Sequence, residues 1–110
     1  MTTAGELDAL EWNFRRALIP LLKRAAKKGD DRIFSLDEPR TRNGRPTVLK
    51  LAEEVMAERE KLKVLPSRQS AAAAFLLACL RWSHRKAGES VSSAALARDL
   101  LATITDDDDA

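Results

Sequence analysis

Ser67–Gly88 reads SRQSAAAAFLLACLRWSHRKAG, and the ten residues from Ala71 to Leu80 carry no polar side chain. An apolar run of about 10 to 14 residues has the length of a buried core helix and falls short of the roughly 20 needed to cross a bilayer. A helix that is apolar on every side must be covered on every side, so this segment is expected in the middle of the fold, with the other elements as its cover. Ser67 is placed to cap its start, and Arg81, His84, Arg85 and Lys86 gather before Gly88, where the helix dipole favours cations. Ala71–Ala74 offer a thin surface for close approach, whereas Phe75, Leu76, Leu77 and Leu80 need thick cover.

The covering elements follow from periodicity. Gly5 to Lys28 is expected to be a helix, started by the capping-box spacing of Thr3 and Glu6 and stopped by Gly29. Leu7, Leu10, Phe14, Leu18, Leu21 and Ala25 recur at steps of three and four, and Trp12, Ile19, Leu22 and Ala26 run beside them. The apolar arc is therefore wide enough for more than one neighbour. Pro20 falls on the polar side, so it is expected to bend this helix without breaking it. A second amphipathic helix should start near Pro46 or Thr47 and end near Leu62, burying Val48, Leu51, Ala52, Val55 and Met56. Arg59 falls within that apolar arc, with its methylenes on the core and its head at the rim. The last helix, about Ser93 to Thr103, should be capped by Ser92 and bury Leu96, Ala97, Leu100, Leu101 and Ile104.

Between the first two of these lies Asp30 to Pro46. Ile33, Phe34 and Leu36 should fold back onto the core, and Ser35-Leu-Asp-Glu38 has the spacing to cap one helical turn, interrupted by Pro39. Asn43-Gly44 marks a turn in what is expected to be a loop. The fold class is all-α: a single compact bundle of four main helices, with a fifth short one near Ser35, around a buried central helix. Residues 1–105 form one helical domain, followed by an acidic, disordered tail at 106–110.

Composition sets further bounds. At 110 residues the chain has room for one core, and 45% hydrophobic with 33% charged residues is a globular balance. The formal charge of +2 hides an asymmetry, because setting aside Asp106–Asp109 leaves 19 basic residues against 13 acidic. A basic body favours polyanions, and an acidic tail could compete for the same surface. The N-terminus lacks a basic stretch followed by an apolar one, so no secretory signal is read and the protein is expected in the cytoplasm, with no membrane association.

Catalytic chemistry finds little support. Cys79 is the only cysteine and His84 the only histidine. A four-cysteine zinc site is excluded, no metal site or cofactor is expected, and Cys79 lies in an apolar run that suits packing over nucleophilic attack. Phosphate-cradling glycine motifs are absent from a chain with four glycines. SVSSAALARDLLATI has the look of the first helix of a helix-turn-helix unit, but no turn and recognition helix follow it.

The strongest constellation is Arg40, Arg42, Arg45 and Lys50, because no acidic residue occurs between Pro39 and Ala52. Arg45 stands where a helix N-terminus offers free amides, and amides with guanidinium groups suit phosphate. Neighbouring acids such as Asp37, Glu38, Glu53 and Glu54 could instead pair with these cations. A second basic group, Arg81, Arg85 and Lys86, adds the aromatic Trp82, a combination used by single-strand binders. The expected function is a non-enzymatic accessory protein that binds nucleic acid through backbone phosphates with Arg40, Arg42, Arg45 and Lys50, helped by Arg81, Arg85 and Lys86. The alternative is a protein-protein interaction module, an adaptor or a subunit of a larger assembly, whose partner is another protein or, as a homo-oligomer, a second copy of the chain.

Overall fold

The periodic segments do become helices in the computed structural model, which describes residues 4–29, 31–63, 70–85 and 92–106. Four α-helices account for the architecture: α1 (Ala4–Lys28), α2 (Val48–Lys61), α3 (Ala71–Ser83) and α4 (Ser93–Asp106). Helix α1 touches each of the other three, most extensively α4. Among the described residues no helix is long and apolar enough to cross a membrane.

The single stripe of α1 that is buried runs through Leu7, Phe14, Leu18, Leu22 and Ala25. Pro20 is exposed and α1 continues through it, as its place on the polar side implies. Gly29 ends the helix at φ 68°, its amide donating to the carbonyl of Ala25 at 2.7 Å, the left-handed stop that glycine permits without a Cβ penalty. Trp12 does not widen the buried arc. It is 52% exposed, with the Arg15 guanidinium 5.6 Å from its ring centroid.

After α1 the chain makes a 3-10 turn, Asp31–Phe34, and Phe34 returns to the core with no exposed surface. The expected fifth helix does not form. Ser35 Oγ accepts from the amide of Asp37 at 3.2 Å and closes only a local turn. Pro39 supplies no amide to extend it and disfavours helical geometry at Glu38. The segment read as a loop is instead a minimal hairpin, β1 (Thr41–Arg42) with β2 (Arg45–Pro46), antiparallel with Arg42 opposite Arg45. Asn43 and Gly44 have φ values of 56° and 76°, the pair of left-handed residues that a tight hairpin turn requires.

Helix α2 buries Leu49, Ala52, Val55 and Arg59. Arg59 is only 8% exposed, so its head lies inside and not at the rim. Its Nη1 donates to Glu11 Oε1 at 3.4 Å, and Ser70 Oγ donates to the same oxygen at 2.6 Å. Ser70, in place of Ser67, caps α3, accepting from the amide of Ala73 at 3.2 Å. Ser67 lies outside the described residues. Helix α3 is thus 13 residues long, about 20 Å at 1.5 Å per residue. It touches α1, α2, α4 and the 3-10 turn, but α1 likewise touches α2, α3, α4 and that turn, so the two helices share the middle of the fold. Cover of α3 is not all-round: Ala71, Ala72, Phe75, Ala78 and Cys79 are buried, while Leu77 is 60% and Leu80 46% exposed.

Helix α4 buries Leu96, Ala97, Leu100 and Ile104, with Ser92 Oγ accepting from the amide of Ala95 at 3.0 Å as its cap. It runs to Asp106, one residue into the aspartate run. At its end Arg15 Nη2 donates to the carbonyl of Ile104 at 2.7 Å. The core centres on Phe75, whose ring lies 5.7 Å from Phe14 and 6.1 Å from Phe34, centroid to centroid, in tilted contacts.

The two faces of α3 should respond differently to substitution. Phe75→Ala is expected to cost about 3–5 kcal/mol in urea denaturation, whereas Leu77→Ser should change stability by no more than about 0.5 kcal/mol.

Candidate functional site

Ala17, Leu21 and Arg24 are spaced by four and three residues, so they share one face of α1. That face forms one wall of an open cleft of about 720 Å³, whose other walls are the 3-10 turn, the hairpin and the start of α2. Leu21, Ile33 and Val48 are its half-buried apolar lining, and the exposed Arg24, Arg32, Arg42 and Arg45 line it as well. Glu38 is the one acidic side chain among the described lining residues.

The hairpin register dictates the charge arrangement. Arg42 and Arg45 are directly opposed, which puts their side chains on the same face of the ribbon as close neighbours. Like charges in that relation repel. Glu38 relieves part of the repulsion, accepting from Arg42 Nη2 at 2.8 Å in an exposed pair of the kind worth about 0–1 kcal/mol. Neither Arg24 nor Arg45 meets an acidic partner among the described residues.

Helix α2 begins at the same cleft, with Thr47, Val48 and Leu49 in its lining. Thr47 occupies the cap position in an extended conformation, but its side chain does not cap the helix. Its hydroxyl donates to the carbonyl of Pro39 at 2.8 Å, and its amide donates to that of Arg40 at 3.0 Å, which holds the hairpin base against the helix. No acidic side chain lies in the first turn of α2 either. The positive end of its dipole therefore adds to the field of the guanidinium groups.

Four of the residues singled out in the sequence stand elsewhere. Arg40 is committed to structure: Nε and Nη2 donate to the two carboxylate oxygens of Glu53 at 3.0 and 3.2 Å, and Nη1 donates to the carbonyls of Leu36 and Glu38. Such a bidentate fork leaves little of the guanidinium for a ligand. Lys50 is half-buried on α2 and does not line the cleft. Arg81 is exposed at the end of α3, also outside the lining. Arg85 stacks on Trp82, its guanidinium carbon 3.7 Å from the ring centroid, while Nη1 donates to the Trp82 carbonyl at 2.6 Å. That ring face is covered by the protein's own cation and is closed to a stacking base. Lys86 lies outside the described residues.

Arg24 and Arg32 are the cleft residues that periodicity alone did not single out. Arg24 lies in the basic second half of α1, where the helix dipole alone favours a cation, although its step of three from Leu21 marks it as the polar edge of an apolar face. Arg32 is carried in by the return of Phe34 to the core, which the apolar Ile33, Phe34 and Leu36 announce, but the space it comes to line exists only once α1, the 3-10 turn and the hairpin have packed.

The other reactive groups are quiet. Cys79 is fully buried, and burial pushes its thiol from 9.0 up to about 12. A thiol so protonated at neutral pH is a poor nucleophile. His84 is exposed at the C-cap of α3. No group of three or more potential metal ligands occurs among the described residues. Comparison with protein-family models, curated proteins and solved structures yields no match to this chain.

Because the folded state holds the Cys79 proton more tightly than the unfolded chain, that contribution to stability is complete below pH 9 and is lost as pH rises toward about 12. A disulfide reagent at neutral pH should label the thiol only after denaturant is added. Between pH 9 and 11 the wild type should lose stability relative to Cys79→Ala, and parallel pH profiles for the two proteins would contradict the assignment.

Proposed function

We propose that this protein is a non-enzymatic accessory factor that binds nucleic acid through backbone phosphates, with the cleft as its binding site and Arg24, Arg32, Arg42 and Arg45 as its cations. One observation carries the proposal. The hairpin holds two arginines opposite each other beside Arg24 and Arg32, around a cleft in which the one described acid, Glu38, is already taken by Arg42. Repelling cations held together by the fold gain most from a shared anion, and guanidinium groups match phosphate oxygens in pairs. Arg40 serves by anchoring the hairpin, so its role is to position Arg42 and Arg45. Base-specific reading is not part of the proposal, because phosphate contacts orient a ligand without reporting sequence.

A second reading rests on a different observation. Leu77 and Leu80 are exposed on one side of α3, and such a pair suits docking of another protein or a second copy of the chain. Salt discriminates between the two. Phosphate binding weakens steeply with ionic strength through counterion release, whereas apolar association barely responds.

Binding measured by fluorescence anisotropy should weaken along a straight line in log affinity against log salt. Arg24→Ala or Arg45→Ala should each reduce the magnitude of that slope by about 1, and Lys61→Ala, at the far end of α2, should leave it unchanged. Glu38→Gln should tighten binding by roughly fivefold at low salt, since it releases Arg42 and removes the one negative charge described in the cleft. Weaker binding by Glu38→Gln at unchanged melting temperature would contradict the placement of the ligand.

A further inference from the structure

We infer that the cleft favours single-stranded nucleic acid over the duplex, an inference that rests on the phosphate-binding role proposed above. Arg24 comes from α1, Arg32 from the 3-10 turn and Arg42 and Arg45 from the hairpin, and these exposed cations line one concavity together with the half-buried Leu21, Ile33 and Val48. A duplex is a stiff convex cylinder, and proteins that read it insert a helix or ribbon into its grooves. A concave site meets such a cylinder only at its rim. A single strand has free backbone torsions and can bend its phosphates inward.

Volume and chemistry agree on what would fill the site. About 720 Å³ falls within the range of about 300–1,000 Å³ for clefts that hold compact ligands, enough for a short stretch of strand. The apolar lining can receive the face of an unpaired base, which a duplex keeps stacked inside. No aromatic ring occurs among the described lining residues, so the stacking contribution of about 1–3 kcal/mol per base seen on aromatic platforms is absent. The phosphates must then supply most of the affinity, and preference among bases should be slight. Arg42 and Arg45 are directly paired across the hairpin, so their α-carbons lie about 5.5 Å apart and both side chains can reach one phosphate or two successive ones.

The test compares a labelled single-stranded DNA of about 12 nucleotides, the RNA of the same sequence and the matching DNA duplex, all at about 50 mM salt. Both single strands should bind at least about tenfold more tightly than the duplex. Leu21→Trp, which fills part of the cleft, should weaken single-strand binding by about fivefold or more, and unchanged single-strand affinity in a folded Leu21→Trp would contradict the placement of the strand. Equal affinity for single strand and duplex would overturn the inference and leave phosphate binding intact. No binding of any of the three would remove both. The single-strand to duplex ratio of the wild-type protein needs no variant, so a poorly folded Leu21→Trp would not spare the inference.

Discussion

The carboxylate of Glu11 is the point on which the arrangement of helices depends. One oxygen receives the Ser70 hydroxyl from the start of α3 and the Arg59 guanidinium from the last turn of α2. All three residues have little contact with water, and a buried charge is tolerable only when it is paired and hydrogen-bonded. The junction therefore specifies an arrangement more than it adds net stability. Glu11 in the first half of α1 meets Arg59 at the end of α2, while Leu21 and Arg24 in the second half of α1 line one cleft with Val48 and Leu49 at the start of α2, so the two helices run in roughly opposite directions. The second half of α1 is thereby left beside the first turn of α2, and the cleft opens there.

The arginines divide into two kinds of work. Arg40 and Arg85 have their guanidinium groups committed within the protein, one to Glu53 and backbone carbonyls, the other to the Trp82 ring and carbonyl. Arg24 and Arg45 have no acidic partner among the described residues, and Arg42 has one that is exposed and weakly held. Surface pairs contribute little to stability, so repulsion between Arg42 and Arg45 is only partly offset in the free protein. An incoming phosphate would gain what the fold leaves unsatisfied.

Geometry also bears on the acidic tail. Arg15, which holds the end of α4, lies on roughly the opposite side of α1 from Ala17, Leu21 and Arg24, at about 100° per residue. The C-terminal end of α4 therefore lies on the far side of α1 from the cleft. Residues 107–110, read from the sequence as a disordered acidic tail, lie outside the described residues.

Helical class, the four main segments and most buried positions were legible in the order of residues, because an amphipathic stripe repeats at the period of the helix itself. Leu96, Ala97, Leu100 and Ile104 are buried as that period requires, and Phe34 returns to the core for lack of any other way to hide its ring. The apolar run at Ala71–Leu80 identified a helix that touches all the others, but it could not reveal which side stays open. Periodicity vanishes where every side chain is apolar, and only the neighbours decide that Phe75 is enclosed while Leu77 and Leu80 face water. The cleft was half legible. A charge run free of acids pointed to Arg42 and Arg45, yet it could not tell them from Arg40, whose partner Glu53 lies thirteen residues away. Nor could it add Arg24 and Arg32. Local sequence determines which face of an element is apolar and where a chain turns; which cations end up paired and which surround a common space depends on distances between elements, and those exist only once the helices have packed.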